Sequence, residues 1–225
     1  MTLAIDSPHA GLDASADSDS GAVDRMKAAL RSRGPAFDRD FDQFLAEDLR
    51  LASRTFWSRL AIARRAAEWI DELGIKTVVD VGSGAGKFCV AAALAGDATY
   101  VGVEQRPRLV RSARQLADLF GVASRVSFIE GTFGITPLPV AEAYYLFNPF
   151  GENVFDEEER LDADVELSGT RYLRDVRAAE GFLAAVSTGT YLLTYNGFGG
   201  QVPPKFREVR VDRELPSVLR MWQMP

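Results

Sequence analysis

The chain has 225 residues, 47% of them hydrophobic and 26% charged, with 32 acidic against 26 basic side chains and a net charge of −6. That length and balance fit one full α/β domain plus an appendage, and the acidic excess excludes a general grip on nucleic acid phosphates, though not a local basic patch. No apolar run approaches the roughly 20 residues of a membrane span, and the amino terminus lacks the basic and apolar regions of a signal peptide, so no membrane partner and a cytoplasmic location are expected.

The rare side chains narrow the chemistry further. The only histidine, His9, stands in a polar tail, and the only cysteine, Cys89, falls in an apolar run where a packed thiol is expected. A zinc site built on Cys and His is thereby excluded, as are Ser-His-Asp and Cys-His catalytic units, and no metal is expected. Any reaction must run on carboxylates, amides, tyrosines or a cofactor.

In chain order, residues 1–21 are rich in Asp, Ser, Ala and Gly and read as a tail too poor in apolar groups to order itself. Residues 22–74 read as a helical cap. Its helices are expected over 23–33, 38–54 and 59–73, the last with Leu60, Ala63, Ala67 and Ile70 on one stripe and Gly74 as its stop. Between the last two stands Phe56-Trp57, which serves either as core packing or as a cover over a ligand site.

From residue 75 the pattern alternates. Val78, Val79 and Val81 make a β-branched strand that runs into three alternate glycines, Gly82, Gly84 and Gly86, followed by an apolar helix from Phe88 to Ala95. A second strand at 100–103 ends in Glu104, and Pro107 opens a helix closed by Gly121. Strands follow at 126–129 and 143–147, then a helix over 170–186 and a strand at 191–195. Two more strand-like runs, near 206–211 and 218–222, read as a closing hairpin. Alternating strands and helices imply a Rossmann-like doubly wound sheet of seven strands, mostly parallel, in a domain spanning 75–225.

A dinucleotide fingerprint needs its third glycine three places after the second, and Lys87 stands there instead. The run Asp80-Val81-Gly82-Ser83-Gly84-Ala85-Gly86 resembles the first motif of class I S-adenosylmethionine-dependent methyltransferases. That resemblance implies a cofactor held by Asp80, Gly82, Ser83, Gly84 and Gly86, with Glu104 accepting from its ribose hydroxyls. A nicotinamide enzyme would use an acidic residue at the same place. At the end of the third strand the family often has Gly-Asp, whereas this chain has Gly131-Thr132, so Thr132 or a backbone group is expected at the adenine with Phe133 against the ring.

The fourth strand ends in Asn148-Pro149-Phe150-Gly151. Asn-Pro-Phe resembles the Asn-Pro-Pro-aromatic motif of methyltransferases that modify amide and exocyclic amino nitrogens. The resemblance implies that Asn148 and the Pro149 carbonyl orient the acceptor nitrogen while Phe150 packs on it; a strand-ending turn is the plainer reading of Asn-Pro. Residues 152–166 hold eight carboxylates and one cation, Arg160. They form either a solvated acidic face or a field that draws a cationic acceptor, such as an amine or a basic peptide. The resemblance implies N-methylation of an amine or amide on a protein or small molecule. The alternatives are an O-methyltransferase on a small molecule and a non-catalytic Rossmann-like binding module.

Overall fold

The computed structural model describes residues 13–32 and 34–225. The first twelve residues of the expected tail, His9 among them, lie outside the described residues. Four helices come first: α1 (Asp13–Arg31), α2 (Asp38–Asp42), α3 (Glu47–Phe56) and α4 (Leu60–Glu72). Then β1 (Thr77–Val81), α5 (Lys87–Ala95), β2 (Thr99–Glu104), α6 (Pro107–Leu119), β3 (Val126–Glu130) and β4 (Ala143–Leu146) alternate. Two short 3-10 turns, Gly151–Val154 and Glu157–Glu159, precede α7 (Gly169–Ala185), β5 (Tyr191–Tyr195), β6 (Arg207–Asp212) and β7 (Leu219–Gln223).

One seven-stranded sheet runs in the order β3-β2-β1-β4-β5-β7-β6, parallel from β3 to β5, with β7 antiparallel to both β5 and β6. The chain reverses its direction of travel across the sheet at β1. From there it winds outward to β2 and β3, then returns to β4 on the other side of β1. Such a switch point opens a crevice at the carboxyl ends of β1 and β4, where ligands of doubly wound sheets bind.

The first crossover helix shows why these residues fold this way. In α5, Phe88 through Leu94 are all buried, because α4 covers one side and the sheet the other. A helix that is apolar all round is stable only when enclosed. The small Ala91, Ala92 and Ala93 are fully buried, as are Ala63, Ala66 and Ala67 of α4, the helix packed against α5.

The cap differs from its sequence expectation in two places. Helix α1 begins at Asp13 rather than near Val23, so part of the expected tail is helical. The helix expected over 38–54 is broken at residues 43–46. A straight helix would hold Asp42 and Ser53 about 16 Å apart along its axis. With the break, both reach one buried ammonium: Lys87 Nζ lies 2.8 Å from Asp38 Oδ1, 2.7 Å from Asp42 Oδ1 and 3.2 Å from Ser53 Oγ. Lys87 begins α5, so this cluster ties the cap to the glycine turn.

Candidate active site

The turn after β1 needs glycine at three places. Gly82, Gly84 and Gly86 have φ of 76°, 54° and 79°, a left-handed backbone that costs glycine nothing and other residues strain. Gly82 N and Ser83 N donate to the Val103 carbonyl at 2.9 and 3.1 Å, fastening the turn to β2. The absent side chains make room for protein groups rather than for open space. A Cβ on Gly82 would stand 3.1 Å from Pro149 Cβ, one on Gly84 would meet the Trp57 ring at 2.3 Å, and one on Gly86 would meet Phe128 and Ala113 within 2.7 Å. The glycines thus let β4's turn, the cap and the second crossover layer close onto one loop.

Glu104 ends β2 facing that loop and is buried. One carboxylate oxygen accepts from Gly84 N at 3.1 Å and the other from Arg106 N at 2.9 Å. Burial pushes its pKa above the usual carboxylate range, opposed by the donors from Arg106 and Gly84. Each oxygen of an ionised carboxylate has two acceptor sites, so one on each is left for a vicinal diol.

At the end of β4, Asn148 has φ 40°, a left-handed conformation that asparagine tolerates better than most residues. Its N–H donates to Gly197 O at 2.9 Å and its carbonyl accepts from Gly151 N at 3.0 Å, which fixes the turn. Its side-chain amide lies against Gly151, where an added Cβ would come within 2.2 Å of Nδ2. Asn148, Pro149 and Phe150 all line a cleft with Gly82, Gly84 and Glu104. Counting its open mouth, the cleft encloses about 960 Å³ of empty space. Phe133 also lines it, and its ring packs on Phe150 with centroids 5.3 Å apart.

Four of the residues expected at the cofactor stand elsewhere. Asp80 is buried beneath α5, 3.4 Å from Cys89 Sγ, and does not line the cleft; its alternation along β1 turns it to the face opposite Val79 and Val81. Ser83 packs against Gly102 of β2, where a Cβ would lie 2.5 Å from its hydroxyl. Gly86 is filled by Phe128 and Ala113. Thr132 lines a neighbouring groove with Gln105, and its N–H is already spent as a donor to Thr136 Oγ1 at 3.1 Å.

The structure adds residues that sequence reading missed. Arg106 is buried and donates to Asp162 Oδ1 at 2.7 Å and Glu152 Oε1 at 2.8 Å, locking the acidic segment over the cleft. Arg171 and Asp175 also line the cleft, paired at 3.3 Å. Their four-residue spacing on α7 was visible in the sequence, but that spacing marks any helical ion pair. Phe56 and Trp57, the suggested cover, do line the cleft.

Comparisons with known proteins agree with this architecture. Residues 75–146 match the family model described as a methyltransferase domain. A ribosomal protein L11 methyltransferase from Deinococcus radiodurans is 40% identical over 77 residues, which is 33% of this chain and 28% of that protein. An RNA methyltransferase from Salinibacter ruber, solved with S-adenosyl-L-homocysteine, superposes with a TM-score of 0.51 at 20% identity, over 72% of this chain and 91% of that one. Mitomycin 7-O-methyltransferase MmcR superposes with a TM-score of 0.53 at 19% identity, over 74% and 54% of the two chains.

Proposed function

We propose, for a chain that carries a methyltransferase domain of the class I Rossmann-like fold, that the cleft binds S-adenosylmethionine and transfers its methyl group to a nitrogen held at Asn148. The single observation that carries the acceptor half of this reading is the seating of the β4 turn on the glycine turn. Pro149 meets Gly82, and Asn148 stands beside it with a side-chain amide that has no hydrogen-bond partner among the described residues.

The residues fit such a cofactor on two counts: Glu104 keeps acceptor capacity for two hydroxyls, and Leu109 and Phe133 supply apolar walls beside it. When bound, the cofactor supplies a sulfonium-activated methyl group. Glu104 anchors the ribose. Asn148 Oδ1 and the Pro149 carbonyl accept from the acceptor's N–H groups and so hold its lone pair toward the glycine turn. Alignment of this kind needs no strong base, in keeping with a cleft that is lined by no histidine or cysteine among the described residues. Phe150 packs against the acceptor.

The experiment is methyl transfer from [methyl-¹³C]S-adenosylmethionine to a panel of amines, amides, phenols and basic peptides, with the methylated carbon assigned by NMR. Asn148→Ala should leave S-adenosylhomocysteine affinity unchanged and lower turnover by on the order of 10²–10³, the usual loss for one pre-oriented polar group. Wild-type turnover in Asn148→Ala, or methylation found only on oxygen, would remove the nitrogen reading.

A further inference from the structure

We infer that the methyl acceptor is a small, uncharged, planar aromatic molecule rather than a basic peptide; this rests on the methyl-transfer reading of the cleft. Besides Phe133, assigned above to the cofactor, five aromatic rings line it among the described residues: Phe56, Trp57, Phe147, Phe150 and Phe155. They come from two separate parts of the chain, the end of α3 and the segment after β4. Rings from such different elements wall the cleft with aromatic surface, which favours an aromatic guest through area burial and ring-to-ring contact.

The charges in the cleft are already matched. Arg106 pairs with Glu152 and Asp162, and Arg171 pairs with Asp175 at 3.3 Å and donates to Gln105. That leaves Glu104, the group assigned to the ribose. A cationic acceptor would find no unpaired carboxylate there and would face the sulfonium charge as well. The acidic segment does not supply one: Glu152 and Asp162 are held by Arg106, while Asp156 and Glu157 to Glu159 are exposed to solvent. Beside the glycine turn, the Asn148 amide has no partner among the described residues and is a neutral handle suited to one N–H group.

The cleft is also roofed. Phe56 of α3 touches Phe155 with ring centroids 6.0 Å apart, and Arg108 bridges Asp48 of α3 to Asp162 of the acidic segment. Both contacts tie α3 to the segment after β4, and a macromolecular acceptor that widened the cleft would have to part them.

The test uses the full chain loaded with S-adenosylhomocysteine and three probes in ligand-observed saturation-transfer NMR. The probes are 1-naphthamide, its saturated counterpart cyclohexanecarboxamide, and a lysine-rich peptide. Saturation transfer to 1-naphthamide, with a dissociation constant at least tenfold lower than for cyclohexanecarboxamide and no signal from the peptide, supports the inference. Phe155→Leu, which keeps apolar bulk and removes the ring, should weaken 1-naphthamide severalfold without changing S-adenosylhomocysteine affinity. Equal binding of the two amides, binding of the peptide, or no binding of 1-naphthamide would overturn it. Failure of S-adenosylhomocysteine to bind would instead strike the methyl-transfer reading, and 1-naphthamide binding to that unloaded chain would still decide the aromatic slot.

Discussion

Pro149 Cβ lies 3.1 Å from the point where a side chain on Gly82 would begin, so the turn that ends β4 rests directly on the turn that ends β1. These two turns belong to adjacent parallel strands, with Val81 opposite Leu146 in register. Their contact sets the distance between the group that would hold the methyl donor and the group that would hold its acceptor.

Gly82→Ala tests that spacing. The new Cβ must push Pro149 aside, and φ of 76° strains any side-chain-bearing residue. The variant should lose about 1–3 kcal/mol of stability, read by urea denaturation, and its turnover should fall more than its S-adenosylhomocysteine affinity. Unchanged turnover would show that the spacing does not matter.

Lys87→Met should cost about 3–5 kcal/mol in the same denaturation experiment. The reason is not the lost attraction alone. Asp42, itself buried, would be left without its cation 2.7 Å away. The double variant Lys87→Met, Asp42→Leu should recover part of the loss, because no buried charge is then orphaned.

Asp80 makes stability fall as pH rises. Burial pushes its carboxyl up to about 7 from an ordinary 3.8; the Cys89 thiol opposes the shift and the Glu104 charge adds to it. Between those values the folded chain keeps a proton that the unfolded chain has released. The contribution is therefore full below about pH 4 and is lost as pH rises toward 7. Asp80→Asn removes the titrating group. Wild type should lose more stability than Asp80→Asn between about pH 5 and pH 8, by on the order of 2 kcal/mol. Parallel pH curves for the two proteins would refute this.

Much of the fold was legible because its signals are local. Val78, Val79 and Val81 running into alternate glycines, and Pro107 opening a helix closed by Gly121, gave strands and helices within a residue or two of their observed ends. The closing pair of strands was also legible, though the insertion of β7 between β5 and β6 is a tertiary choice that no local pattern encodes. The broken cap helix was not legible, since Lys87, the group that its two pieces share, lies more than thirty residues away. The site divides in the same way. Gly82, Gly84, Glu104, Phe133 and Asn148 to Phe150 come together because strand ends converge. Asp80 does not, since a single step along a strand turns a side chain to the other face. Arg106, Arg171 and Asp175 carry no motif; only the folded chain brings them to one cleft.

Calorimetric titration with S-adenosylhomocysteine, on the wild type and on Glu104→Gln, tests the central claim most directly. The claim is that the glycine turn and Glu104 together form a cofactor site. The wild type should bind one equivalent. Glu104→Gln, which exchanges one carboxylate oxygen for an NH₂ donor and keeps the side chain's shape, should bind more weakly by about 1–3 kcal/mol, or roughly fivefold to 150-fold. No heat of binding by the wild type, or equal affinity in the two proteins, would contradict the account.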